Sequence, residues 1–151
     1  MGVDIMSKID ENLVTYCGFY CLDCPLYTQK IPNLAEELIK ELEYAKYQKF
    51  AKEPTPLGEG LKHYKECCEV LETMTKSRCP KGCRNGGGNP ACEIRICCKE
   101  KGYEGCWECE TFELCETLNT MIPVHEDAHI KNLRIIRDNG KSEFLKGKRY
   151  W

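Results

Sequence analysis

Apolar residues recur at helical spacing in three stretches of this 151-residue chain. Leu34, Leu38, Leu42 and Ala45 fall three or four positions apart, the mark of a helix with one buried face. Asn33 can cap it and Glu36 can reach back, so the helix is expected to run from Asn33 to about Lys52. Pro54 and Pro56 close it. A second set, Leu61, Tyr64, Cys67, Cys68, Leu71 and Met74, predicts a helix from about Leu57 to Lys76. The two should pack as an antiparallel hairpin over about 31–76. A third set, Ile130, Leu133 and Ile136, predicts a final helix from about Val124 to Asn139, with Gly140 as its stop. Leu13–Tyr16 suits a strand or extended entry, and Cys21–Tyr27 a helical turn with Pro25 just inside it.

From 79 to 118 the periodicity fades. Short helices are expected over 92–101 and 107–118, with Asn85–Pro90 as a loop. Three glycines in that loop resemble a phosphate cradle, but no Gly-Lys-Ser/Thr follows. What recurs here is cysteine. Of thirteen in the chain, ten are spaced like metal ligands: Cys17, Cys21 and Cys24; Cys79 and Cys83; Cys92 and Cys97; Cys106, Cys109 and Cys115. Two thiolates three or four residues apart can grip one ion through a tight turn.

Composition makes the same demand. Leu, Ile, Val and Phe number 13, 10, 4 and 4, close to the ~20% line below which burial alone struggles to fold a chain. Cross-links must supply the difference. Met1–Tyr16 has no apolar core of the secretory type and carries Asp4, Lys8, Asp10 and Glu11. No apolar run approaches a membrane span. A cytoplasmic location is therefore expected, where thiols stay reduced and spaced cysteines bind metal. Arg78, Lys81, Arg84 and Arg95 lie among the cysteines and could offset thiolate charge.

The net charge of −2 and pI of about 6.0 demand neither nucleic acid nor membrane. The tail is basic, with Lys131, Arg134, Arg137, Lys141, Lys146, Lys148 and Arg149 against Asp138 and Glu143. It reads as a solvated helix face, or as a dock for an acidic partner.

Zinc in closed four-thiolate shells suits these pairs, with ten ligands enough for two ions. A four-cysteine iron–sulfur cluster is the alternative, since ligand type alone does not exclude iron. Cys17-x3-Cys21-x2-Cys24 matches radical-enzyme spacing, but Asp23 stands where an aromatic residue is usual and no alternating barrel pattern follows. Cys106-Trp-Glu-Cys109 lacks the fold context of a thioredoxin-type pair. Cys67 and Cys68 are expected as buried small hydrophobes, and Cys98 competes with Cys97 as a ligand. His125-Glu-Asp-Ala-His129 matches the zinc-protease pattern, but Pro123 places it at a helix start, and the nearest third ligand, Glu143, lies beyond Gly140.

Tyr16-Cys17-Gly18, Cys21, Cys24-Pro25, Cys79, Gly82-Cys83-Arg84, Cys92-Glu-Ile-Arg95, Cys97, Glu100-Lys-Gly102, Cys106, Cys109, Phe112 and Cys115-Glu116 resemble the small cysteine-rich prokaryotic family called domain of unknown function 3795. The resemblance runs from about 13 to 118 and implies a zinc-binding domain with no established activity. Cys98, doubled beside Cys97, departs from that pattern.

The expectation is a small, mainly α protein forming a single cysteine-rich domain over 1–151, with little strand. It comprises a helical hairpin, a metal-binding lobe of 17–24 with 79–118, and a helical tail over 124–151. It would bind zinc structurally and serve a protein partner as a scaffold. An iron–sulfur redox protein is the main alternative, ahead of a metal-dependent hydrolase or a thiol redox sensor.

Overall fold

A computed structural model describes residues 10–151. Seven α-helices and a series of single-turn 3-10 segments account for its regular structure, with no strand among the described residues. The extended entry survives as one antiparallel bridge, Val14 to Tyr20. The chain divides into two compact units: Pro25–Cys79, and the part up to Cys24 together with Pro80–Trp151.

The Pro25–Cys79 unit holds α1 (Lys30–Tyr44), α2 (Tyr47–Phe50), α3 (Pro56–Gly60) and α4 (Tyr64–Lys76). The hairpin is present, but each expected helix is broken. Lys46 takes a left-handed φ of 52° and separates α1 from α2. Gly58 and Gly60, weak helix formers, fill α3, and α4 restarts at Tyr64. The start also differs. α1 begins at Lys30, with Pro32 in its first turn, where missing N–H groups cost little. Asn33 lies inside the helix and accepts from Arg78 instead of capping. Arg78, beyond the end of α4, also donates to Gln29 and Glu36 at the start of α1, so the two helices run antiparallel.

The inward face is rotated from the expected one. Ala35 is buried, Ile39, Leu42, Tyr64, Cys68 and Leu71 are half-buried, and Leu34, Leu38, Cys67 and Met74 are exposed. Cys67 is therefore not the buried hydrophobe the pattern implied.

The other unit carries α5 (Glu93–Lys101), α6 (Ile122–His125) and α7 (Ala128–Lys146) around the main apolar core. Val14, Phe112, Leu118, Leu133 and Phe144 are at most 1% exposed. Gly140 (φ 82°, ψ 165°) kinks α7, so the expected stop is a bend. After it, Phe144 and Leu145 return to the core. The helix expected over 107–118 is instead two 3-10 turns, Cys106–Glu108 and Phe112–Leu114. No described helix is long and apolar enough to cross a membrane.

Candidate metal centre

A tight turn comes first. Thr15 N donates to Phe19 O at 2.7 Å, and Thr15 Oγ1 accepts from Phe19 N at 2.8 Å. The loop between them carries Cys17. Cys106 N donates to Tyr16 O at 2.8 Å, which fastens the 106–109 turn beside it. Two short-spaced pairs share one local geometry. Cys24 N donates to Cys21 O and Cys109 N to Cys106 O, each at 3.0 Å. Both turns hold their two cysteines close along the chain, the reason that such spacing suits a metal ligand.

The thiols fall into groups. Burial pushes the Cys17 thiol up to about 12, and the nearby charges of Cys83 and Cys92 add to this, against a hydrogen bond from Thr15 Oγ1 at 3.3 Å. A second group lines a cavity of about 120 Å³: Cys97, Cys98, Cys106, Cys109 and Cys115, with Lys101 and Phe112. Cys98 Sγ lies 3.6 Å from Cys106 Sγ. That contact holds Cys98 below the ordinary thiol value, with help from Arg84 and Lys101, and raises Cys106. The negative charges of Cys97 and Cys109 raise Lys101. Cys21 is buried and Cys24 half-buried in their own turn, whereas Cys79 belongs to the Pro25–Cys79 unit and donates its N–H to Leu26 O. Four of the ten expected ligands thus share the cavity, joined by Cys98. No disulfide occurs among the described residues. Nor do three His, Cys, Asp or Glu side chains among them close on one point at ligating distance.

The basic residues divide by role. Arg95 is 5% exposed and donates to the carbonyls of Cys83, Gly87, Asn89 and Pro90, lacing the glycine loop. Arg78 is engaged on α1. Arg84 differs. Its guanidinium lies 4.1 Å over the Tyr16 ring and donates to Val14 O and Glu104 O. Its Nη2 is buried with no hydrogen-bond partner. A buried cationic N–H without an acceptor is costly. Beside a group of thiols, it is placed to offset negative sulfur. Sequence reasoning named four such cations equally; stacking and satisfied donors single out one.

The His125–His129 motif is not on one helix. Glu126 (φ 51°, ψ −123°) breaks the chain between α6, which ends at His125, and α7. The one-face geometry of a zinc-protease helix is lost. The imidazoles instead pack on Phe19, His125 at 4.5 Å and His129 at 6.5 Å between ring centroids, and Trp151 covers His125 at 5.0 Å.

The basic tail is spent internally. Lys131 pairs with Asp127, Arg134 and Arg137 with Glu113, Lys141 with Glu11 and Glu104, Lys146 with Glu143, and Arg149 with Asp23. Lys148 lies over the Tyr150 ring.

No curated protein and no solved structure matches the chain. The family model described as protein of unknown function (DUF3795) matches residues 13–120. That span holds all the candidate thiols and most of the core around them, and the chain belongs to this family.

Proposed function

We propose that this protein is a zinc-binding domain whose metal is structural and whose role is to hold a surface for a protein partner. The observation that carries the reading is the gathering of five cysteines around one small cavity, with the unpartnered Arg84 Nη2 nearby. Thiolates are the preferred donors for zinc, and four of them carry a net negative charge that an adjacent guanidinium offsets. A closed thiolate shell leaves no position for water or substrate, so the metal supplies folding free energy and not chemistry. Zinc would serve Cys17, Cys83 and Cys92 as a second ion. The exposed side chains of Leu34, Leu38, Val70 and Met74 on α1 and α4 support an interaction role. Unpaired thiolates of this kind belong in a reducing compartment, the cytoplasm.

The same five cysteines also admit a second reading, a four-iron cluster, because ligand type alone does not separate iron from zinc. Elemental analysis and the absorbance of anaerobically purified protein decide between the two. Colourless protein with zinc at one or two equivalents supports the first. Brown protein with iron, sulfide and a broad band near ~400 nm replaces it with a redox role. Protein with neither metal ends both.

A further inference from the structure

Two adjacent cysteines of α5, Cys97 and Cys98, both line the cavity. Consecutive helical residues point about 100° apart, so at most one of the two can aim squarely at a shared centre. Cys98 is 2% exposed and Cys97 half-buried. The Cys98 sulfur lies 3.6 Å from that of Cys106. That is the distance of two thiols in hydrogen-bond contact, and it is also close to what one shared ion requires. Four sulfurs at about 2.3 Å from a tetrahedral ion are separated along each edge by about 3.8 Å. A disulfide would need about 2.05 Å. Thiolates on separate irons of a cluster point outward from the cube and lie much farther apart. Cys97 has a different neighbour: its side chain contacts Lys101, one turn on and exposed.

The geometry points to Cys98 and Cys106 as one edge of a mononuclear tetrahedral site for a soft divalent cation of the zinc class. Cys109 and Cys115, which line the same cavity, complete it, and Cys97, which lines it too, stays outside the shell. This rests on the metal-binding reading above and deepens it. It exchanges the expected ligand for its neighbour and selects a single ion over a cluster at this cavity. Arg84 supports the assignment. Its guanidinium is stacked on Tyr16 with Nη2 buried and unpartnered, a donor available to offset a four-thiolate dianion. Binding would release the thiol protons still held and draw Cys109 and Cys115 inward onto the ion.

The test uses the full chain loaded with zinc. Native mass spectrometry counts ions, and competition with a chromogenic chelator ranks affinity. Wild type, Cys97→Ser, Cys98→Ser and Cys106→Ser are compared. Cys98→Ser and Cys106→Ser should each lose one zinc or bind it more than about 100-fold more weakly, beyond the 10- to 100-fold that loss of an outer supporting residue brings. Cys97→Ser should keep the wild-type count and affinity. The assignment fails if Cys97→Ser loses the ion, whatever Cys98→Ser does, or if Cys98→Ser keeps it. Should a variant not fold, the wild type is alkylated in a urea concentration that unfolds the metal-free chain. Zinc should then shield Cys98 and Cys106 while Cys97 is labelled; the reverse pattern refutes the proposal. Wild-type protein that binds no zinc under any condition defeats the underlying functional reading instead.

Discussion

At the scale of single residues, close approach and burial decide what each position tolerates. Gly105 has extended backbone (φ −173°), so any residue could adopt its conformation. The restriction is space: a Cβ there would lie 2.1–2.4 Å from atoms of the Trp107 ring. Gly105→Ala must push Trp107, a core residue, out of its seat. A loss of about 1–3 kcal/mol is expected from overpacking, read as a lower urea midpoint with an altered near-UV signal from the indole. His129 is limited differently. It is 1% exposed and its Nδ1 has no partner. Burial, then the neighbouring His125, holds its imidazole below the ordinary value of 6.5, against a smaller opposing effect of Asp127. Burial likewise lowers His125. On acidification the unfolded chain takes up protons first. Stability is therefore full above about pH 6.5 and falls as pH drops below it, until the folded imidazoles also titrate. Urea titrations between pH 7.5 and 5.0 should show the decline, and His129→Gln should flatten it. A midpoint that rises toward pH 5 would refute this assignment.

At the scale of elements, side chains that reach between segments matter more than propensity. Arg95 projects from α5 and satisfies four carbonyls of the 83–90 segment. Arg95→Ala leaves those acceptors and a void inside the unit, at a cost of about 2–4 kcal/mol. Amide exchange should quicken over Gly86–Asn89 before it does in α7; equal protection in mutant and wild type would contradict the role. The sequence shows where helices lie and which thiols belong to tight turns, because both follow from local spacing. α5 falls within the expected 92–101, and Gly140 bends the last helix where a stop was expected. What spacing does not show is the rotation of a helix. Leu34, Leu38 and Met74 satisfy the apolar period yet face outward, since Ala35 and Ile39 offer an alternative stripe one step round. Nor does it show the breaks at Lys46 and Glu126, where ordinary residues take positive φ. The different burial of Cys97 and Cys98 is hidden for the same reason: adjacent positions differ in orientation, and spacing does not show which of them turns inward. Arg84 was legible as a cation among cysteines; its unpartnered donor was not.

At the scale of the whole molecule, the two units differ in what stabilises them. The cysteine-bearing unit has a core of fully buried Val14, Leu118, Leu133 and Phe144, yet its 3-10 turns are too short to hold themselves. The helical unit buries only Pro32, Ala35 and Gly58 among its helical residues, and a helix pair with so small an interior is marginal in water. A peptide of residues 25–79 should thus show weak, non-cooperative helicity by circular dichroism, whereas a sharp melt would show that the hairpin stands alone. Metal removal tests the other unit. Zinc binding contributes about 10 kcal/mol or more in small metal peptides at neutral pH, comparable to the 5–15 kcal/mol by which whole domains are stable. Chelation of the zinc-loaded chain should therefore abolish the near-UV signal of Trp107 and cooperative melting. Re-addition of zinc should restore both, provided the thiols are kept reduced. If the chelated protein keeps the tertiary signal and its melting temperature, the apolar core alone suffices, and the gathered thiols must serve something other than stability.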